Sequence, residues 1–327
     1  MKRIKVAFSL VLVLLLLVSA ASAATFTLKL GSNTAPTHPE NVYARYLSDL
    51  VNTATSGDLV IEVYDSAKLG DHLERQEGLR MGTIDATLTS IGYIGGYDPV
   101  FNIFEMPYLF IDENHQSRVF ESEVFGMIAA EAIKYGFVLV DGLEMGARHV
   151  TNSVRPIVVP ADLAGLKLRV PETTSSIDAM TAMGGTPTPM AFSELYMGLQ
   201  QKQVDGQENP LSNIYASKFY EVQKYLSLTG HQRIEQVLLF SELTWKKLPA
   251  EYQQLLMDKA NEANEYLKGV IKEEETKLVT EMEKLGMLVN EADVQAFVDK
   301  VAPLREEYTV KYGEQAKVYF DLIDSMK

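Results

Sequence analysis

Between Thr25 and Leu88 the spacing of apolar residues switches back and forth between every second residue and every third or fourth, and a chain that does this must alternate strands with helices. In Thr25–Gly31, Phe26, Leu28 and Leu30 share one face while Thr27 and Lys29 take the other. His38-Pro39-Glu40 then opens a helical pattern carried by Val42, Tyr46, Leu47 and Leu50. Leu59–Tyr64 reads as a second strand, Leu69-Gly70-Asp71 starts a helix that ends near Gly82, and Ile84–Leu88 reads as a third strand. This order favours crossover connections and a parallel sheet, so the expected fold class is α/β.

The middle of the chain repeats that logic, with strands at Phe137–Val140 and Gly165–Val170 and helices over about Thr174–Met183 and Pro189–Gln200. Two such sections predict two lobes. From Leu248 to Met287 the pattern becomes one long charged helix with an apolar stripe of Leu255, Leu256, Ala263, Leu267, Val270, Leu278 and Met282. Periodicity alone leaves two roles open for it, bracing both lobes or lying on the surface of one.

The first residues stand apart. Lys2, Arg3 and Lys5 precede an apolar run from Val6 to Val18, and Ala21-Ser22-Ala23 completes the three parts of a secretion signal over Met1–Ala23. A run of this length is short for a membrane span. The expected mature chain begins at Ala24 and is released from the membrane. The sequence has no cysteine, which excludes disulfides, a thiol nucleophile and a cysteine-linked lipid anchor. With 44 acidic residues against 30 Lys and Arg, the net charge of −14 argues against nucleic acid or anionic membrane surfaces as partners. There is no GxSxG, HExxH, P-loop or GxGxxG motif, and the five histidines lack metal-ligand spacing, so no cofactor or metal is expected.

In Gly165–Glu172, GLKLRVPE, the residues Leu166, Leu168 and Val170 point one way and Lys167 and Arg169 the other, until Pro171 ends the ladder. Charged residues on a strand usually face solvent. Strand ends in open α/β sheets also border ligand clefts, so Arg169 is either a solvated strand residue or a ligand contact.

GLKLRVPE, followed by GGTPTPMAFSELYMGLQ and VDGQENP, resembles the solute-binding proteins of tripartite ATP-independent periplasmic (TRAP) transporters, and LGDHLERQEGLRMGTIDA, FEMPYLF and SKFYEVQKYL extend the likeness over the mature chain. The resemblance implies a two-lobed periplasmic binding protein with its long C-terminal helix bracing the lobes. Residues 24–147 with about 233–275 would form lobe I, and 148–232 with about 276–327 lobe II. It further implies a periplasmic protein, not an enzyme, that closes on an organic acid and docks on integral-membrane TRAP transporter subunits driven by an ion gradient. A secreted enzyme on a similar scaffold is the competing reading.

Residue by residue, the resemblance matches Arg169 to the arginine that pairs with the ligand carboxylate and Arg148 to a second arginine of the site. Asn209 matches a ligand-binding asparagine, though Asn before Pro210 also fits a helix N-cap. Phe192 matches an apolar wall, with a core role as the alternative. His38, Glu74, Tyr93 and His231 fall where related branches line the cleft. His72 and Ser90 stand where the sialic-acid branch carries acidic residues, which disfavours sialate and points to a sugar acid such as a uronate, with a C4-dicarboxylate second.

Overall fold

The computed structural model describes residues 25–327, so the expected signal over Met1–Ala23 lies outside the described residues. Among these residues nine strands form one mixed sheet: β1 Phe26–Gly31, β2 Leu59–Tyr64, β3 Ala86–Ser90, β4 Phe137–Asn152, β5 Lys167–Val170, β6 Thr186–Pro189, β7 Gly206–Pro210, β8 Tyr225–Ser241 and β9 Leu288–Glu291. Their order is β2-β1-β3-β8-β4-β7-β5-β6, with β9 added against β8. Both ends of the sheet are parallel, as the crossovers require. Its middle is antiparallel, because β8 pairs in that sense with β3 and β4, and β4 with β7.

Ten helices matter for the argument: α1 Pro39–Ala54, α2 His72–Met81, α3 Glu113–Phe120, α4 Glu123–Ala132, α5 Thr174–Met183, α6 Leu195–Gln200, α7 Leu211–Ala216, α8 Ala250–Lys284, α9 Val294–Val301 and α10 Pro303–Ser325. The early helices begin where their caps dictate. His38 caps α1 ahead of Pro39, and Asp71 caps α2 in a reciprocal box with Glu74. The structure departs from the sequence expectation at the third strand, which starts at Ala86 while Ile84 packs into the core. It departs again at Pro189, which ends β6 and starts no helix. Pro187 and Pro189 lack the N–H that a ladder needs, and β6 tolerates them as the edge strand. The chain then passes through a short 3₁₀ turn at Phe192–Glu194 into α6.

The central strands are the larger correction. β4 runs 16 residues where four were expected, and β8 runs 17 where no strand was assigned. Irregular steps between Leu139 and Asp141, Glu144 and Ala147, and Arg148 and Val150 break the alternation along β4.

Apolar packing separates two halves, the lobes. In the first, Leu28, Leu30, Leu47 and Phe240 pack with Leu256 and Leu267 of α8, and Phe101, Phe104, Val119 and Phe137 pack with Leu304, Tyr308 and Phe320 of α10. In the second, Leu166, Leu168, Val170 and Met180 pack with Phe297 and Val301 of α9, and Leu195, Ile214 and Phe219 pack with Leu278 and Met282 of α8. α8 therefore braces both lobes. The last helix packs with the first lobe, whereas the expected division put all of 276–327 in the second; apolar packing changes sides between Val301 and Leu304. The chain thus passes between lobes four times, along β4, β8 and α8 and at Ala302.

Candidate functional site

The two lobes face each other across β4 and β8, and a polar cavity lies there. It is lined from the first lobe by Asn33, Glu40, His72, Ser90, Tyr93 and Glu105, from the second by Arg169, Phe192, Asn209 and Asn213, and from the long strands by Arg148, Gln232 and Gln236. The enclosed space is only about 40 Å³, well under the ~300–1,000 Å³ of typical small-molecule sites. The lobes are drawn together, and hydrogen bonds cross between them. His38 Nε2 meets Asn213 Oδ1 at 3.1 Å, and Ser193 N donates to Asp71 Oδ2 at 3.1 Å. Glu105 gathers donors from both sides: Ser90 Oγ and Gly92 N in the first lobe, Ser175 Oγ and Thr173 Oγ1 at the start of α5 in the second. Gly92 permits this approach, because a Cβ there would collide with the Glu105 carboxylate.

Arg169 sits at the end of β5 with its side chain 2% exposed. Its Nε donates to Met190 O at 2.9 Å and its guanidinium lies 5.7 Å from the centre of the Phe192 ring. Burial lowers its pKa, and Tyr93 and Glu208 act against that. It forms no ion pair among the described residues. The solvated-strand reading of Arg169 is therefore excluded, since a surface residue would not be buried in this way.

Arg148 differs. Its Nε and Nη2 grip the carboxylate of Glu208, with Nη2 to Oε1 at 2.8 Å, and His231 Nε2 stands 3.2 Å from the same carboxylate. Burial alone would raise the Glu208 pKa, but Arg148 and His231 outweigh it and hold the group at about 2. Of the two arginines in the cavity wall, one has its countercharge built in and one does not.

The other expected residues divide. Ser90, Tyr93, Asn209 and Phe192 line the cavity. Tyr93 stacks on His72 at 4.3 Å, and burial together with Arg75 keeps the His72 pKa well below its usual value, so the imidazole is neutral. Asn209 lies within β7 and bonds to Gln207; the N-cap position before α7 belongs to Pro210, which corrects the capping alternative. His38 and His231 do not line the cavity; they hydrogen-bond to Asn213 and Glu208 behind its wall. Glu74 is exposed and accepts from the backbone N of Asp71, so its role is to cap α2 outside the cavity. Sequence reading missed Asn33, Glu40, Glu105, Asn213, Gln232 and Gln236. Gln232 and Gln236 sit four apart on β8, on one face of a strand, a signal available only once that strand is recognised.

Residues 30–311 match the family model for bacterial extracellular solute-binding proteins, family 7. The chain belongs to this family. Its members include the solute-binding proteins of TRAP transporters. The 2,3-diketo-L-gulonate-binding periplasmic protein YiaO of Escherichia coli is 31% identical to it over 100% of both chains. A TRAP periplasmic solute-binding protein of Roseobacter denitrificans with bound L-galactonate superposes with a TM-score of 0.86 at 31% identity, covering 93% of this chain and 99% of that one. One from Haemophilus influenzae with bound L-gulonate gives 0.88 at 30% identity, covering 92% of this chain and 100% of that one. For this TRAP solute-binding protein the two-lobed α/β architecture is thereby established. Among its described residues no helix is long and apolar enough to cross a membrane, and no cluster of His, Cys, Asp or Glu could hold a metal ion.

Proposed function

We propose that this protein captures a polyhydroxylated monocarboxylate, a sugar acid, between its lobes and delivers it to the membrane subunits of a TRAP transporter. Arg169 carries the reading. It is a buried guanidinium in the cavity wall without an acidic partner, while its neighbour Arg148 is already neutralised by Glu208. A carboxylate supplies the missing countercharge through two parallel charge-assisted bonds, with Phe192 and Tyr93 flanking the carbon skeleton and Asn209 beside it.

Three buried acceptor atoms of the same wall, Asn33 Oδ1, Glu40 Oε1 and Gln236 Oε1, have no hydrogen-bond partner. Such groups are costly unless a donor reaches them. Hydroxyl groups bring donors, whereas a second carboxylate would place another anion against Glu40 and Glu105. This favours a sugar acid over a C4-dicarboxylate. The acids bound by the relatives above support the same class. The family's role supports capture without turnover, in the periplasm.

Calorimetric titration with L-galactonate, L-gulonate, D-galacturonate and succinate tests the proposal. One hydroxylated acid bound per chain and recovered unchanged is the expected result. Tight binding of succinate alone would overturn the sugar-acid class, and turnover of the acid would overturn capture in favour of an enzyme.

A further inference from the structure

Glu40 is a carboxyl group in an unusual position. It lies in the first turn of α1, is 2% exposed, and lines the cavity. Its Oε2 is 3.4 Å from Thr34 Oγ1, and its Oε1 has no partner. The nearest basic side chain, His38, is 4.0 Å away at Nδ1. That nitrogen accepts the backbone N–H of Glu40 itself at 3.2 Å, so it carries no proton, and the ring is neutral with Nε2 turned to Asn213. Burial places the His38 pKa at about 4, in agreement. Arg75 of α2 is the remaining cation near Glu40, and its own hydrogen bonds go to Thr87 Oγ1, Gly70 O, Leu88 O and His72 Nδ1. Arg148, Arg169 and Glu105 are the other charged groups of the cavity wall, and Lys218, Lys277 and Glu281 line a separate groove with Thr37 and Pro39 on the outside of the α1 start.

We infer that Glu40 is a specificity-determining residue of the binding site, whose Oε1 accepts a hydrogen bond from a ligand hydroxyl while Arg169 holds the carboxylate from the opposite lobe. The inference rests on the sugar-acid reading above and adds to it a second anchoring point. Burial raises the Glu40 pKa to about 7, against the weaker opposing pull of Arg75 and Thr34, so near neutral pH the empty site holds this carboxyl partly protonated. A donating hydroxyl stabilises the ionised form. Binding then releases the proton to solvent, and affinity rises with pH until Glu40 is ionised without ligand. His38 and His72 are held neutral and Glu208 ionised, so they contribute no proton over this range.

The test is calorimetric titration of the wild-type protein with L-galactonate, L-gulonate and 2,3-diketo-L-gulonate in two buffers of different ionisation enthalpy. At about pH 6 the expected release approaches one proton per acid bound, and it falls toward none by about pH 8.5. Glu40→Gln should bind about 10- to 100-fold more weakly, with the release abolished. Binding in wild type with no exchange or with proton uptake, or a Gln variant of unchanged affinity, overturns this inference and leaves the sugar-acid reading standing. If neither these three acids nor D-galacturonate binds wild type, both fall together. Proton counting on wild type needs no variant, so misfolding of Glu40→Gln would not shelter the idea.

Discussion

Arg148 and Glu208 are locked together across neighbouring strands, Nε and Nη2 of one gripping the carboxylate of the other and Nη2 also reaching Glu208 O at 2.6 Å. The pair is nearly fully buried, so its members depend on each other more than on solvent. A buried pair broken on one side costs about 3–5 kcal/mol, because the surviving charge is left without a partner.

Glu208→Gln should therefore lower unfolding stability at pH 7 by an amount in that range. The sign of the pH dependence follows from the depressed pKa, about 2 against the ordinary 4.5. The contribution is present above about pH 4.5 and lost as pH falls toward about 2. Denaturant titrations at several pH values should show the gap between wild type and variant closing across that acid window; a gap independent of pH would mean the carboxylate is not what stabilises.

Arg169→Ala removes the cavity's unpaired guanidinium. Ligand affinity is expected to fall by about 2–5 kcal/mol, tens-fold to thousands-fold at about 1.4 kcal/mol per decade. Met190 O loses its donor, which costs about 1 kcal/mol of stability. Circular dichroism should show an intact fold, since Leu166, Leu168 and Val170 on the opposite face are untouched. A folded variant with wild-type affinity would remove Arg169 from the site.

Glu40→Gln should change stability in the opposite direction to its effect on binding. Because the folded-state pKa is raised to about 7 from 4.5, the native state holds a proton that the unfolded chain gives up. Stability associated with it is full below about pH 4.5 and is lost as pH rises through 7. The glutamine variant escapes this loss and should be more stable than wild type by on the order of 2–4 kcal/mol above pH 8 without ligand. Thermal melts at pH 5 and pH 8.5 compare the two; equal shifts at both pH values would contradict the assignment.

Glu105→Ala removes the acceptor shared by Ser90 and Gly92 of one lobe and Thr173 and Ser175 of the other. Bonds to a charged acceptor contribute about 1.5–3 kcal/mol each, so the drawn-together arrangement loses population. Small-angle scattering should report a larger radius of gyration for the variant without ligand, and affinity should drop at least about tenfold. Unchanged scattering and affinity would show that other contacts hold the lobes.

Local signals explain which parts of this structure are readable in the chain. His38-Pro39-Glu40, the Asp71 cap and the Thr174–Met183 helix are set by residues within a few positions of each other, and each lies where expected. The alternation of β5 places Arg169 but leaves it either a solvated residue or a ligand contact; the ligand role comes from the family resemblance, and burial removes the solvated alternative. Glu208 was not legible, since its meaning depends on the pairing of β7 with β4, which sets Val150 against Glu208 and Arg148 against Pro210. The polar middle of β8, with Thr229, His231 and Gln232 buried, resembles a loop in sequence; in the fold Tyr108 bonds to Thr229 O and His231 O there. Glu40 was hidden for the opposite reason, as an acid in a helical first turn is what helix electrostatics alone would put there.

The return of the last helix to the first lobe bears on how the protein is made. Leu304, Tyr308, Tyr319 and Phe320 complete a core begun by Ile91, Phe101 and Phe137, so a chain emerging N-terminus first cannot close that core until the segment Pro303–Ser325, two helical pieces broken at Gly313 (φ 68°), has appeared. Until then the earlier segments stay open to whatever machinery handles the nascent polypeptide. A premature stop at Ala302 would leave the second lobe's apolar packing intact and the first core without its lid.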